Sequence, residues 1–209
     1  MISLFLDTSS SRLIIGLYKD KKEILLENIP SNNDLSRKVL DHIKKNLDNV
    51  NIPISKIDEI YVVTGPGSFT GIRVGVTIAK TLAYTLNKTI YEVSELKVMA
   101  STKTDKKIIV PYIDARRGYV YAGIYNNNLK VFMKDQYILK EELINILKNK
   151  YRSENIELVS YDFEEAKIPK LNIEKLLNLV NFKAITPHNV VPNYLKKTEA
   201  EEKLNDKNN

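Results

Sequence analysis

Leu4-Phe-Leu-Asp7 opens the chain as a short apolar run that ends on an aspartate, and Tyr112-Ile-Asp114 repeats the pattern. Nine residues after each aspartate stands a glycine, Gly16 in the first copy and Gly123 in the second, and a tyrosine follows two positions later. The copies are 107 residues apart in a chain of 209. Self-similarity of this kind predicts two lobes that arose by duplication.

Each copy continues as a β-meander, in which short apolar strands alternate with polar turns. In the first copy we predict strands at Leu13–Tyr18 and Glu23–Ile29. In the second copy the corresponding strands are Val120–Ala122 and Lys130–Ile138. The two halves therefore share a strand pattern as well as an aspartate and a glycine.

Helices and buried strands follow the first meander. Leu35, Val39, Ile43 and Leu47 recur every four residues and predict an amphipathic helix. The further elements predicted in this half are a strand at Ile57–Val63, a helix at Ser68–Leu86 and a strand at Thr89–Val93. This order is typical of an α/β lobe.

The domain organisation follows from the repeat. We predict an N-terminal lobe at residues 1–103, a reduced C-terminal lobe at 104–197, and a polar, disordered tail at 198–209. The boundary falls in the polar stretch Ser101–Lys107. The fold class is α/β, with two duplicated lobes that each open with a β-meander followed by helices.

Composition excludes several kinds of protein. The chain has no Cys, so disulfide scaffolds, thiolate metal sites and cysteine nucleophiles are excluded. No run of 18 uninterrupted apolar residues occurs, so we expect no membrane span. No basic segment precedes the first apolar run, so we expect no signal peptide and a cytoplasmic location. The net charge is +6, but 26 Lys and 6 Arg are spread along the chain, which is typical of a solvated surface.

Four of the seven glycines fall in Thr64-Gly-Pro-Gly-Ser-Phe-Thr-Gly-Ile-Arg-Val-Gly75, which matches neither a Walker A loop nor a dinucleotide fingerprint. A row of small residues with four-residue spacing crosses it and continues along the helix: Gly67, Gly71, Gly75, Ala79 and Ala83. Such a ridge lets another helix or a sheet approach closely. Packing within the lobe and an interface with a partner explain the ridge equally well.

Two lobes that each begin with a strand ending in Asp and a hairpin resemble the actin-like ATPase architecture, the RNase H-like or ASKHA fold. In that architecture the paired hairpins hold the phosphates of a nucleotide between the lobes. The resemblance makes Asp7, Thr8, Ser9, Asp114 and Arg116 candidates for vestigial phosphate loops. Alternatively, each aspartate accepts hydrogen bonds from its own turn. A magnesium ion or a water held by the two aspartates is a third interpretation.

The Gly65–Gly75 motif, the opening Leu6-Asp-Thr-Ser9, the hairpin Asp114-Ala-Arg-Arg-Gly118 and the late Pro192-Asn-Tyr-Leu195 together resemble the TsaB family, also called YeaZ. The resemblance extends to about Leu195. It implies a subunit needed to make threonylcarbamoyladenosine at position 37 of tRNA. It also implies that the first two helices pair with their counterparts in the paralogue TsaD, or with themselves in a homodimer.

We therefore predict a noncatalytic scaffold that pairs with TsaD, recruits the ATPase TsaE and meets tRNA through the complex. No metal and no tightly bound cofactor are expected, and ATP or ADP would bind weakly or only within the complex. The residues predicted at a partner interface or in close helix packing are Leu35, Val39, His42, Gly67, Gly71, Gly75 and Ala79. The rival hypothesis is a stand-alone actin-like ATPase or phosphotransferase that uses Asp7 and Asp114. A protease-type hydrolase is the least favoured, because the sequence contains no Ser/His/Asp arrangement or metal-ligand pair for it.

Overall fold

The computed structural model describes residues 1–31, 35–151 and 153–196, without the side chains at 35–37 and 154. Within these ranges the strands are β1 (Ile2–Asp7), β2 (Arg12–Lys19), β3 (Lys22–Pro30), β4 (Glu59–Gly65), β5 (Thr89–Ser94), β6 (Ile108–Asp114), β7 (Tyr119–Asn126), β8 (Val131–Leu139) and β9 (Ile156–Val159). The α-helices are α1 (Leu35–Asn49), α2 (Phe69–Thr85), α3 (Glu95–Ala100), α4 (Lys140–Lys150) and α5 (Ile173–Leu179). Short 3-10 turns lie at Ile54–Lys56, Ser153–Asn155 and Pro187–Asn189.

Two sheets confirm the predicted pair of α/β lobes. The first sheet has the strand order β3-β2-β1-β4-β5, and the second has the order β8-β7-β6-β9. In both, the meander strands pair antiparallel and the next strand, β4 or β9, pairs parallel to the first strand of the meander. The second sheet ends at β9 and has four strands, one fewer than the first.

In each copy of the repeat, the tyrosine ring packs over the glycine two residues before it in the same strand. A Cβ atom at Gly16 would lie 2.5 Å from Cε2 of Tyr18, and one at Gly123 would lie 2.7 Å from Cε2 of Tyr125. Each tyrosine ring therefore covers its own glycine. Both rings are fully buried in one apolar cluster that contains residues of both lobes. The repeat thus places one tyrosine from each lobe in the apolar cluster that both lobes share.

The connection between the lobes is packed against the fold. Ser101 and Thr102 are buried, and the Ser101 and Thr102 hydroxyls accept hydrogen bonds from the backbone of Asn172 and Lys170. The chain after α5 returns to the first lobe. There Ile185 forms an antiparallel bridge with Ile90 of β5.

The strands and helices predicted in the first half agree with the structure to within a few residues, while the short helix α3 was not predicted. The predicted tail at 198–209 lies outside the described residues. Across the described chain, no helix is both long and apolar enough to cross a membrane.

Candidate functional site

A cleft of about 870 Å³ lies between the turn that follows β1 and the turn that follows β6. It is lined by Ser9, Ser10, Ser11, Gly67, Ser68, Glu95, Ile113, Asp114, Ala115, Arg116, Tyr121, Tyr161 and Asp162. The structure therefore brings Ser9, Asp114 and Arg116 of the predicted phosphate loops to one cavity. Asp7 lies beneath its floor and is completely buried.

The two aspartates at the strand ends make the same turn. Asp7 Oδ1 accepts a hydrogen bond from the backbone N–H of Ser9 at 2.7 Å, and Asp114 Oδ1 accepts one from Arg116 N–H at 2.8 Å. The side chain of each aspartate thus closes its own hairpin, as Asp does in Asx turns. Thr8 does not line the cleft. Its hydroxyl donates to the Gly71 carbonyl at 2.7 Å.

Glu95 is the residue of this cleft that sequence reasoning missed. It is the first residue of α3, is fully buried, and its carboxyl group adjoins that of Asp7. Burial, and next the negative charge of Asp7, raises the pKa of Glu95 well above its usual value. Burial likewise raises the pKa of Asp7. The cleft floor is therefore a coupled pair of carboxyl groups.

Several buried oxygens lie close together at this floor, where the carboxyl groups of Asp7 and Glu95 adjoin each other and the Ser9 side chain. Among the described residues, Asp7 Oδ2, both carboxylate oxygens of Glu95 and the hydroxyls of Ser9 and Tyr161 are buried with no well-formed hydrogen bond. Buried polar atoms are nearly always paired, and an unpaired one costs roughly 1–3 kcal/mol.

The charge of the cleft is opposite to that of the whole chain. Glu95, Asp114 and Asp162 line the cleft with Asp7 behind them, while Arg116 is the one cationic side chain among the lining residues. In the part of the chain that is described, no three His, Asp or Glu groups converge as a complete metal-ligand set. The walls therefore favour a cation over a free polyphosphate.

The small-residue ridge of α2 faces inward. Cβ atoms built at Gly67 and Gly71 would collide with the backbone carbonyl oxygens of Ser9 and Thr8, and one at Gly75 would collide with the Thr8 hydroxyl. Packing within the lobe, one of the two alternatives, thus accounts for these glycines: they let the first hairpin lie directly on the helix. Ser68 begins the helix by accepting a hydrogen bond from the Gly71 N–H.

The other residues predicted at the interface also lie within the lobe. Val39 and Ala79 are in its apolar core. His42 Nδ1 lies 3.0 Å from Oε1 of Glu27 on β3, so it is held by a neighbouring strand. The side chain of Leu35 lies outside the described atoms.

A different face of the same two helices is exposed. A groove of about 440 Å³ runs along it, lined by Leu40, Phe69, Thr70, Arg73, Val74, Thr77 and Ile78. More than half of the surface of Leu40 and of Phe69 is accessible to solvent, at 55% and 53%. The sequence analysis did not single out this face. It named residues of the apolar stripe of α1 and of the small-residue ridge of α2 as candidates for a partner interface or close helix packing.

The Pro192–Leu195 motif packs against the exposed face of α2 through Tyr194. The Tyr194 ring stacks on Phe69 at 5.1 Å between centroids, and the Arg73 guanidinium lies 3.8 Å over the same ring. Arg73 Nε also donates to the Tyr194 hydroxyl at 3.0 Å. Next to it, Asn193 N–H donates to the Thr64 carbonyl at 2.7 Å. Two motifs about 120 residues apart in sequence are therefore parts of one surface.

The chain resembles known proteins along almost all of its length. A model of the TsaD family, tRNA N6-adenosine threonylcarbamoyltransferase, matches residues 30–201. The tRNA threonylcarbamoyladenosine biosynthesis protein TsaB of Bacillus subtilis is 30% identical, with 97% of each chain covered.

Solved structures agree on the fold. YeaZ from Pseudomonas aeruginosa superposes with a TM-score of 0.76, covering 93% of this chain and 99% of that one at 20% identity. A second Pseudomonas aeruginosa structure, an uncharacterized protein with similarity to peptidase YeaZ, has a TM-score of 0.78 at the same coverage and identity.

Proposed function

Because this chain belongs to the TsaB family, whose role is in tRNA threonylcarbamoyladenosine biosynthesis, we propose that it acts as a noncatalytic scaffold subunit that pairs with TsaD. In this proposal it also recruits TsaE and supports transfer of the threonylcarbamoyl group to adenosine 37 of tRNA. It would contact tRNA through the complex, in the cytoplasm. Alone, it would use the same face to form a homodimer.

The observation that carries the pairing is the exposed groove on α1 and α2. Leu40, Phe69, Val74 and Ile78 place apolar surface there, and Arg73 adds a cation within it. Exposed apolar surface of this kind, edged by polar groups, marks protein interfaces. The stacked Tyr194 holds Phe69 in place before binding, which lowers the entropy lost on association.

The acidic cleft supports the noncatalytic role. A nucleotide held only by this chain would place its phosphates against Glu95, Asp114 and Asp162, with Arg116 alone to offset them. Both strand-end aspartates already accept hydrogen bonds from their own turns. We therefore propose that ATP or ADP binds weakly here, or only within the assembled complex.

Reconstitution tests the proposal. TsaD, TsaE, the enzyme that supplies threonylcarbamoyl-adenylate, tRNA and ATP are combined with and without this chain, and the modified nucleoside is measured by mass spectrometry. We expect product to depend on the chain and the chain to co-elute with TsaD. Product that forms equally well without the chain would refute the scaffold role.

A matched pair of variants locates the contact. Leu40→Asp puts a charge in the groove, whereas Ile168→Asp puts the same charge on an apolar residue of the second lobe that is 72% exposed. We expect Leu40→Asp to abolish co-elution and Ile168→Asp to leave it unchanged. Equal effects of the two variants would mean that TsaD binds elsewhere.

The second candidate is a stand-alone ATPase or phosphotransferase. The size of the cleft and its position between both hairpins favour this activity. It requires that the isolated chain hydrolyse ATP and that Asp114→Ala, which removes an exposed carboxylate at the cleft wall, abolish the turnover. Turnover unchanged by Asp114→Ala would come from a contaminating enzyme.

A further inference from the structure

We propose that an aromatic surface on the second lobe binds unpaired nucleotides of single-stranded RNA, with the bases stacked on tyrosine rings and the phosphates held by nearby cations. The surface consists of Tyr119 and Tyr121 on β7 and of Tyr137 and Leu139 on β8, and we call it the tyrosine surface. The inference rests on the proposed role in tRNA modification for the choice of RNA. It goes beyond that role because it gives this chain an RNA contact of its own, on a different lobe from the groove on α1 and α2.

The strand register places these four side chains on one face of the second sheet. Tyr119 lies opposite Leu139, and Tyr121 lies opposite Tyr137. Residues directly opposite each other share a face, and so do residues two positions apart in one strand. The Tyr119 and Tyr137 rings are stacked almost parallel, with centroids 4.5 Å apart and an angle of 6° between their planes, and the Tyr121 ring lies 5.7 Å from the Tyr137 ring. The three rings therefore form one continuous aromatic row.

The first lobe covers one end of this face and leaves the other end open. Asp135, two residues before Tyr137, accepts a hydrogen bond from Ser94 of the first lobe. At the opposite end Leu139 is 42% exposed, and all three tyrosines of the row are partly exposed. Contiguous apolar and aromatic surface that stays accessible is typical of an interaction site. The tyrosine surface therefore has aromatic area left over after the sheet and the lobes are packed.

Three cationic side chains border the tyrosine surface. Arg116 and Arg117 are exposed at the tip of the hairpin that leads into β7, just before Tyr119. Lys196 Nζ lies 5.5 Å from the centroid of the Tyr137 ring. Aromatic rings beside cations are the arrangement by which proteins bind single-stranded nucleic acid, because the bases stack on the rings and the phosphates follow the positive charge. These residues come from three separate segments of the chain, so only the fold brings them together.

The acidic cleft next to the tyrosine surface decides how a strand lies on it. Tyr121 also lines that cleft, together with Asp114 and Asp162. Their carboxylates repel phosphates, whereas an uncharged base is tolerated beside them. We therefore expect the phosphates to lie toward Arg117 and Lys196 and the bases to lie on the rings. Bases in a duplex are already paired and stacked, so a surface that contacts their faces selects unpaired nucleotides.

The experiment measures the fluorescence anisotropy of a fluorescein-labelled anticodon stem–loop RNA as the isolated full-length chain is added. We expect saturable binding that weakens as salt is added, and weaker binding to a fully paired RNA of the same length. Tyr119→Leu should weaken binding roughly 5- to 150-fold, which corresponds to the loss of one base–aromatic stack. Tyr119→Phe, which keeps the ring, should bind like the wild type. Tyr84→Leu makes the same change at a tyrosine of α2 that is 66% exposed, and it should also bind like the wild type.

A second pair of variants tests the cations and leaves the packed rings intact. Arg117→Gln should weaken binding and make it less dependent on salt, because one phosphate contact fewer lowers the slope of log K against the logarithm of the salt concentration by about 0.7. Lys56→Gln removes one positive charge from an exposed turn of the first lobe and should leave both quantities unchanged. Since Arg117 is exposed at the hairpin tip, this pair tests the surface even if Tyr119→Leu folds poorly.

Three results would overturn the inference. The first is the absence of saturable binding to the stem–loop. The second is equal binding of paired and unpaired RNA, which would indicate general attraction to positive charge without stacking. The third is a Tyr119→Leu protein that binds RNA like the wild type, and if that protein no longer co-elutes with TsaD or TsaE, the surface serves a protein partner instead.

The titration contains no TsaD, so its outcome is separate from that of the proposed pairing. RNA binding by a chain that makes no difference to product in the reconstitution would keep this inference and refute the scaffold role. Product that depends on the chain, without loss of RNA binding in Tyr119→Leu or Arg117→Gln, would do the reverse.

Discussion

Replacing Gly71 with alanine should destabilise the first lobe, although alanine is the better helix former. In an unconstrained helix this change would stabilise by about 0.5–1 kcal/mol. Here the new Cβ would lie far inside contact distance of the Thr8 carbonyl oxygen, which is backbone and cannot rotate away. The Thr8 hydroxyl also donates to the Gly71 carbonyl, so the hairpin and the helix must separate together.

Overpacking of this kind typically costs 1–3 kcal/mol, and the strained hydrogen bond contributes about 0.5–1.5 kcal/mol more. After subtraction of the gain in helix propensity, we expect a net loss of about 0.5–4 kcal/mol. For a chain of this length each kcal/mol lowers the Tm by roughly 2–4 °C.

Chemical denaturation followed by circular dichroism measures the loss. Thr81→Ala is the matched control, because Thr81 is an exposed residue of the same helix and its replacement should be neutral or slightly stabilising. A Gly71→Ala protein as stable as Thr81→Ala would refute the inward orientation of the ridge. Lost co-elution with TsaD without lost stability would indicate that Gly71 lies at the partner contact after all.

Three further predictions test other contacts. Asp135→Ala should cost about 1–3 kcal/mol in urea denaturation, because the buried Tyr125 hydroxyl of the same lobe and the Ser94 hydroxyl of the first lobe both donate to that carboxylate. Asp135→Asn, which keeps an acceptor, should cost less. Tyr194→Ala should weaken binding to TsaD in a pull-down and change the Tm little, because it removes the ring that holds Phe69 and Arg73 at an exposed surface. Binding equal to that of the wild type would show that the stack plays no part in the contact. Glu165→Gln should lower stability by less than about 1 kcal/mol, since the hydrogen bond from Lys140 that lowers the pKa of Glu165 is largely exposed. That contribution is present above the usual carboxyl pKa and is lost as the pH falls through the lowered value, so melting curves of the two proteins should converge in acid.

The sequence by itself determined the duplicated architecture. Asp7 and Asp114 recur with a glycine nine residues later because each lobe builds the same hairpin, and that spacing can be recognised without a structure. The four-residue period of α1 and the apolar run of β4 are equally local signals. Strand and helix periodicity depends on neighbouring residues in the chain, so the fold class could be predicted from it.

The direction in which α2 faces required the structure. A row of glycines predicts that another segment packs closely against the helix. The same row is expected whether that segment is a hairpin of the same lobe or a helix of a partner. Only the position of Thr8 and Ser9 over Gly71 and Gly67 decides between them. The outer face around Leu40 and Phe69 then becomes visible as the surface that remains exposed.

The floor of the cleft required the structure most of all. Glu95 is 88 residues from Asp7, and in the sequence it is an ordinary acidic residue before an apolar stretch. Its chemistry arises when β5 pairs with β4, β4 pairs with β1, and α3 then begins above the end of β1. The sequence shows that Glu95 carries a carboxyl group. Its raised pKa depends on burial and on the nearby Asp7, and only the fold brings the distant residues that cause both into place.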